Sequence, residues 1–280
     1  MIPPADITQD RTYRHFPSFA AYARACIDTG LCQPAGNSDW TFGHHWRDAE
    51  QFLEAMEAGR AEPGVMAIAR RLRISAAGAM TNSEGPTRRR RRVWAEQGDE
   101  VDVDRMLADK PRAWQCTAIG RPAPIVRILA MFDCNGTCNT EQFGAAAAAV
   151  ALASDALATA GYAFEVWAIQ HGTGLKWERM HTVTACVKGA GEPLDLERVA
   201  SVYTLGAIRY LGFGLIRHDM HPTDVGRCRT PDAATLAICS ATGSIRPEQF
   251  SPSGIDADAI ARAALSLIPA AASKQETAHV

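Results

Sequence analysis

The sequence lacks most of the features that would assign a protein class directly. Its 280 residues begin without the basic-then-apolar pattern of a signal peptide. The longest stretch without charge or strong polarity, residues 143–153, is about half of what a bilayer-spanning helix needs. The formal net charge of −2 excludes a chain that is basic throughout, but not a local basic patch. We therefore expect a soluble, cytoplasmic protein with no membrane partner.

Familiar catalytic and metal-binding motifs are also missing. There is no Gly-x-Ser-x-Gly elbow, no phosphate-binding loop and no dinucleotide-binding glycine pattern after a strand. The eight cysteines form no Cys-x-x-Cys pair, and we expect most of them to be free thiols. Two weak metal-binding pairs remain, Cys134 with Cys138 and His218 with His221, against the alternative of ordinary loop and core residues. His44, His45 and His181 have no obvious carboxylate partner along the sequence, so we expect structural or exposed roles for them.

The C-terminal half predicts an α/β fold. Residues 125–132 form an apolar run typical of a buried strand that ends at Asp133. An alanine-rich helix over 142–160 and a strand over 162–169 complete a βαβ unit. Residues 180–188 alternate and predict an antiparallel hairpin partner at the sheet edge. A long helical segment over 195–215, a second short strand over 235–239 and a closing helix over 256–268 follow.

We predict three regions in the chain. Residues 1–115 are expected to form a mainly helical N-terminal extension with an arginine-rich segment, including helices over 19–28, 46–58 and 63–77. Residues 116–270 are expected to form the α/β domain. Residues 271–280 are expected to be a disordered tail.

The loop after the first C-terminal strand carries the most specific pattern. Asp133, Asn135 and Thr137 present oxygen-bearing side chains at every second position, leading into a helix. This pattern resembles the metal-ion-dependent adhesion site of von Willebrand factor A (vWA) domains, in which an Asp-x-Ser-x-Ser loop holds a divalent cation. The resemblance implies a vWA-like three-layer Rossmannoid fold, with a mostly parallel sheet and an antiparallel edge strand. It also implies magnesium as the ion, because magnesium prefers hard oxygen ligands.

The sequence departs from this vWA pattern in its acidic residues. The family usually supplies a further aspartate after its fourth strand, in a Thr-Asp-Gly triplet. Here Ala241 stands in the comparable run, residues 240–243. A single carboxylate would then face a divalent ion, which predicts a degenerate site. The alternative is that Asp133 caps the following helix and Asn135 makes the turn, without an ion.

A second resemblance covers more of the chain, roughly residues 16–217. Scattered short motifs are similar to those of an uncharacterised family encoded by bacteriophages and mobile elements. The motifs are the run 38–43, the acidic run 98–104, Pro111 with Trp114, Gly144 in its alanine-rich helix, the run 193–195 and the run 209–213. This resemblance implies a phage or prophage origin and no particular reaction.

Five consecutive arginines, Arg88, Arg89, Arg90, Arg91 and Arg92, form the most concentrated charge in the sequence. Arginine at this density suits phosphate, since its planar fork donates hydrogen bonds in pairs. An acidic block over 96–109 follows at once, so the arginines have an alternative partner within the fold. Both interpretations, a nucleic-acid patch and internal pairing, stay open.

Three functional hypotheses result. The first is a non-enzymatic binding or assembly protein that contacts a protein partner through Asp133, Asn135 and Thr137. The second is a nucleic-acid-binding accessory protein that acts through Arg88–Arg92. The third, a metal-dependent enzyme that uses Asp133, has the least support, because no nucleophile or base is placed beside that residue in the sequence.

Overall fold

We analysed a computed structural model of the chain. It describes residues 6–7, 11–28, 30, 45–80, 92–95, 100–101, 103–108, 114–117, 125–134, 138–173, 180–219 and 227–268. The loop residues Asn135 and Thr137, the four arginines at 88–91 and the predicted tail at 271–280 lie outside these ranges.

The fold is a mixed α/β arrangement built on one main sheet. Its strands are β1 (Asp6–Ile7), β2 (Arg11–Phe16), β6 (Val126–Met131), β7 (Phe164–Thr173), β8 (Met180–Lys188), β9 (Arg227–Cys228) and β10 (Gly243–Ile245). The order across the sheet is β1-β2-β8-β7-β6-β10, and β9 pairs with the end of β7. The pairs β2–β8, β7–β6 and β6–β10 are parallel, and β7–β8 is antiparallel. A second, three-stranded antiparallel sheet contains β3 (Arg92–Ala95), β4 (Glu100–Val101) and β5 (Trp114–Thr117).

Several helices begin at a side-chain cap. The helices are α1 (Phe19–Asp28), α2 (Ala49–Glu57), α3 (Pro63–Met80), α4 (Val103–Leu107), α5 (Thr140–Thr159), α6 (Leu196–Ser201), α7 (Phe213–Asp219), α8 (Ala233–Ile238) and α9 (Ala257–Ser266). A π-helical segment, Ala207–Gly212, leads directly into α7. Asn139 caps α5 by a capping box with Gln142, and Asp256 caps α9.

One face of the main sheet carries most of the core. Alternate strand residues such as Phe16, Ile128 and Val183 point to this face, where α1 covers β2 and β8 and α5 covers β6. The long helix α3 packs on the outer side of α5. Helix α5 is long and apolar enough in composition to cross a membrane, but 78% of its most apolar stretch is buried inside the protein. It is therefore explained as a core helix. The opposite face has a smaller cluster, Leu129, Met131, Ile169 and Cys239, against which Leu236 of α8 packs.

Several predicted elements are confirmed. β6, α5 and β7 form the predicted βαβ unit, with β6 and β7 parallel. β8 pairs antiparallel with β7 as predicted, and α1 and α9 lie where they were expected.

Two predictions about the sheet are wrong. β8 is not an edge strand, because β2 pairs with it in parallel along six residues. Residues 235–239 do not form a strand: Asp232 caps a helix there by accepting a hydrogen bond from the Thr235 N–H. The parallel strand beside β6 is β10, which begins at Gly243.

The core contains residues from both sides of position 115. Because β2 joins the main sheet and α3 packs on α5, the core spans the predicted boundary at residues 115/116.

Candidate functional site

Asp133 lies at the carboxyl end of β6, an inner strand between two parallel neighbours. The pairing of β6 with β7 continues one residue past the strand, since the Phe132 N–H donates to the Ile169 carbonyl. The next residue, Asp133, has 3% of its surface exposed. Its Oδ2 accepts a hydrogen bond of 3.2 Å from the His171 N–H. The Asp133 carboxylate thus pairs with a backbone N–H of β7 at the point where β6 has ended. One of its hydrogen-bond acceptor positions is therefore occupied inside the protein.

The donor set predicted for magnesium can be examined only at this aspartate, since Asn135 and Thr137 fall outside the described residues. Within the described ranges, no group of three or more His, Cys, Asp or Glu side chains could hold a metal ion. A magnesium ion here would therefore be held by Asp133 together with Asn135 and Thr137. Only one of these three side chains is a carboxylate, so the set offers a divalent ion little negative charge.

A buried network around Asp219 lies on the main core face, near the amino ends of β2 and β8. Asp219 accepts two hydrogen bonds of 2.7 Å from the Nε and Nη2 of Arg14. Its Oδ2 also accepts from His181 Nε2 at 2.8 Å, and its Oδ1 accepts from His218 Nδ1 at 2.8 Å. The side chains of Asp219 and His181 are each 1% exposed, that of Arg14 is 10% exposed, and that of His218 is 39% exposed. The network therefore leads from the surface at His218 to the interior at His181.

Three distant segments position this network. The parallel register of β2 and β8 pairs Thr12 with His181 and Arg14 with Val183, so Arg14 and His181 share a face as diagonal neighbours. Asp219 is the last residue of α7. The π-helical segment before α7 lies close to the sheet, because a Cβ added at Gly212 would come within 2.6 Å of Gln170 Nε2. This approach and the π-turn, which changes the helical register, set the direction in which α7 delivers Asp219.

The electrostatics of the network fix Asp219 as an anion. Burial alone would raise the pKa of Asp219, but hydrogen bonds from His181 and Arg14, with a further bond from His218, hold it well below its ordinary value of 3.8. Because the charge of Asp219 is buried, the stability of the fold depends strongly on the groups that pair with this carboxylate.

Two buried histidines each keep one ring nitrogen without a hydrogen-bond partner in the described part of the chain, His181 Nδ1 and His171 Nε2. The other ring nitrogen of His171, Nδ1, lies 2.9 Å from Thr182 Oγ1. Burial lowers the pKa of His171 to about 4, so the ring stays neutral at neutral pH. The two rings lie on opposite faces of the sheet, because the residue paired with His181 is Gly172, next to His171.

His181 is buried and bound to a carboxylate that its sequence neighbours do not reveal. Its partner, Asp219, lies 38 residues later, so no local sequence pattern connects them. His218, considered above as a metal-binding residue with His221, binds the same carboxylate, and His221 lies outside the described residues. Recognising residues 11–16 as a strand would have placed Arg14 beside His181.

The arginine run is only partly described. Arg92 begins β3, and the other four arginines lie outside the described residues. Upstream, Arg70 and Arg71 of α3 are exposed. Arg73 of the same helix is bound to Asp155 by two hydrogen bonds of 2.9 Å, so its charge is already paired.

Comparison with known proteins identifies a family for the chain. A family model described as a domain of unknown function, DUF7192, matches residues 6–235. The chain belongs to the DUF7192 family. The match extends from β1 into α8, so it contains Arg14, Asp133, His181 and Asp219. No curated protein and no solved structure matches the chain.

Proposed function

We propose that this DUF7192 protein is a non-enzymatic binding or assembly protein with a degenerate vWA-like domain. It contacts a protein partner at the carboxyl rim of the main sheet, through the loop that contains Asp133, Asn135 and Thr137. The observation that carries the proposal is the position of Asp133, directly after an inner strand flanked by two parallel strands. In open α/β sheets, ligands bind beyond the carboxyl ends of the strands.

One further contact supports a degenerate ion site at this rim. Asp133 already accepts a hydrogen bond from the His171 N–H, so one of its acceptor sites is not available to an ion. Ala241, compared in the sequence with a second family aspartate, precedes β10 rather than following a strand. Because β10 is parallel to β6 and Gly243 pairs with Ile128, Ala241 lies at the opposite rim and supplies nothing to this site. A site with one carboxylate would bind magnesium weakly, so the loop itself supplies the contact surface for the partner.

The test compares two pairs of substitutions. Asn135→Ala/Thr137→Ala changes the loop, whereas Glu54→Ala/Ser75→Ala changes two exposed helical residues, one in α2 and one in α3, and serves as the matched control. A partner captured by the wild type and identified by mass spectrometry should lose affinity for the loop variant and keep it for the control. Equal affinity for both variants would contradict the proposal.

Ion binding is measured separately from partner binding. Binding to the folded state raises the melting temperature by mass action, so a functional site gives a magnesium-dependent shift that disappears in Asp133→Asn. The degenerate site that we propose gives a shift of about 1 °C or less at millimolar magnesium. A larger shift in melting temperature that disappears in Asp133→Asn would contradict the degenerate site and show a functional one.

The second candidate is a nucleic-acid-binding accessory protein of a phage or mobile element. Its support is the sequence run Arg88–Arg92 together with the exposed charges of Arg70 and Arg71 on α3. If the run contacts phosphates, the logarithm of the affinity falls linearly with the logarithm of salt concentration, and each lost phosphate contact reduces the slope by about 0.9 on duplex DNA. Replacing Arg88–Arg91 by glutamine should flatten that slope. No binding of the wild type at low salt would remove this candidate.

A further inference from the structure

Exposed apolar side chains are concentrated beside the small sheet that contains β3, β4 and β5. Seven large apolar side chains are exposed in the described part of the chain, and four of these belong to β4 and α4. We call these four the apolar patch: Val101, Val103, Met106 and Leu107, the last of which is 78% exposed. The three members in α4 are spaced three and four residues apart, so they share one side of that helix.

The small sheet has little of its own to cover the apolar patch. β3 and β4 each pair with β5, and the main contacts of these strands are with one another. A sheet of three short strands needs a further packed layer to be stable. Single exposed apolar residues are ordinary, but a cluster of them is typical of an interaction surface. The apolar patch therefore calls for a second molecule.

The charges around the patch indicate what that molecule is. β5 separates β3, which begins at Arg92, from β4, which begins at Glu100. In the sequence, four more arginines stand directly before β3, whereas Asp99 and Asp102 flank β4. One edge strand thus follows a basic run and the other lies in an acidic run. Since β3 and β4 are two strand spacings apart, about 10 Å, they are not neighbours within one copy.

We propose that the apolar patch is a dimer interface, covered by a second copy of this chain. In a twofold contact, residue i of one copy meets residue j of the other, and j meets i. A twofold axis along β5 places β3 of each copy opposite β4 of the other. The arginine run of each chain then meets the acidic run of its partner, and complementary charges of this kind fix the register of an interface.

The same axis brings apolar sequence to the patch. The patch continues from β4 into α4, so it lies opposite β3 of the second copy, whose sequence contains Val93 and Trp94. Aromatic residues are enriched in the centres of such interfaces. The dimer does not depend on the partner contact proposed at Asp133, which belongs to the main sheet. Loss of one can therefore be distinguished from loss of the other.

The first test measures the molecular mass of the full chain in solution, by sedimentation or light scattering, over a range of protein concentrations. We expect the mass to rise toward twice the 30.2 kDa of one chain as the concentration increases. The rise should be smaller at high salt, because salt screens the charge contacts. A wild type that keeps the mass of one chain at every concentration would overturn the proposal and assign the patch to a different partner.

The second test removes the patch. Met106→Glu/Leu107→Glu places charges at two exposed positions, so it should abolish the dimer and leave the circular dichroism spectrum unchanged. Ile74→Glu is the matched control, since Ile74 is 76% exposed on α3, outside the patch, and this variant should still dimerise. A dimer that survives the double substitution, or that is lost equally in the control, contradicts the assignment.

The third test exchanges the charges. One variant replaces the four arginines at 88–91 by glutamate, and the other replaces Asp99, Glu100 and Asp102 by lysine. Each variant alone should stay monomeric, because like charges then face each other across the twofold axis. An equal mixture should form the heterodimer, since every contact again joins opposite charges. Pairing within one chain gives no association in the mixture, and that result would refute the contact between copies.

Discussion

Replacing Asp219 by asparagine is the sharpest perturbation of the buried network. The substitution keeps the size of the side chain but removes its charge. It also places an amide N–H₂ opposite groups that only donate, Arg14 and the His181 Nε2–H. The Arg14 guanidinium, 10% exposed, then keeps at most one of its two hydrogen bonds to this side chain, and that one to a neutral amide oxygen. Removing one member of a buried ion pair costs about 3 kcal/mol or more, because the remaining charge is left uncompensated.

The chain offers a matched control for this substitution. Arg11, also in β2, binds Asp232 with an Nη2–Oδ2 distance of 2.9 Å, but these side chains are 26% and 48% exposed. Asp232 caps α8, and asparagine is an equally good N-cap, so Asp232→Asn changes the charge and keeps the cap. Exposed pairs of this kind contribute at most about 1 kcal/mol.

Chemical and thermal unfolding measure both variants. We expect Asp219→Asn to lower the free energy of unfolding by about 3 kcal/mol, and the melting temperature by about 6–12 °C. Adding Arg14→Met to Asp219→Asn removes the uncompensated charge and should recover part of the loss. The reasoning is refuted if Asp219→Asn costs no more than Asp232→Asn, or if the second substitution adds a further full loss.

Three further predictions concern pH and helix packing. The pKa of His171 is about 4 in the folded protein, against 6.5 for an ordinary histidine. As the pH falls from 6.5 to 4, the unfolded chain takes up a proton at this histidine that the folded protein does not. The free energy of unfolding of the wild type should therefore fall by about 3 kcal/mol over that pH range. His171→Asn should remove that slope in pH-dependent unfolding. The depressed pKa of Asp219 adds stability above about pH 4 that is lost on further acidification, so Asp219→Asn should flatten the acid limb of the same curve. Gly144→Ala should destabilise the protein by about 1–2 kcal/mol in thermal unfolding, because the new Cβ would lie 2.4 Å from Ile68 Cγ2. In Gly78→Ala, by contrast, the new Cβ meets nothing within 4 Å, so this substitution should stabilise the protein by up to about 1 kcal/mol.

The βαβ unit could be predicted from the sequence because its signals are local. The apolar run of β6, the capping residues before α5 and the glycine after it each act within a few residues. β2 could not be recognised in this way. Its sequence, RTYRHF, lacks the alternation of polar and apolar residues that indicates a strand. Arg14 points to the core face, where a charged residue argues against burial. The carboxylate that makes this burial tolerable, Asp219, is more than 200 residues away.

The mistaken strand at residues 235–239 has a related physical cause. An apolar run of five residues fits a buried strand and a short helix equally well, and the start of the element decides between them. Here Asp232 accepts hydrogen bonds from the N–H and the hydroxyl of Thr235, which fixes the first turn of α8. The same aspartate binds Arg11 of β2. One long-range ion pair thus docks the helix onto the strand that the sequence pattern did not reveal.

These two long-range contacts explain why the site could be predicted only at Asp133. That residue ends a local pattern, and its position follows from the strand before it. The Arg14–Asp219–His181 network depends on strand β2 entering the sheet beside β8, and on a π-turn that changes the direction of α7. Both are properties of the assembled fold. The same assembly places His181 near the amino end of β8, at the rim of the sheet where Asp133 also lies, since β7 runs antiparallel to β8.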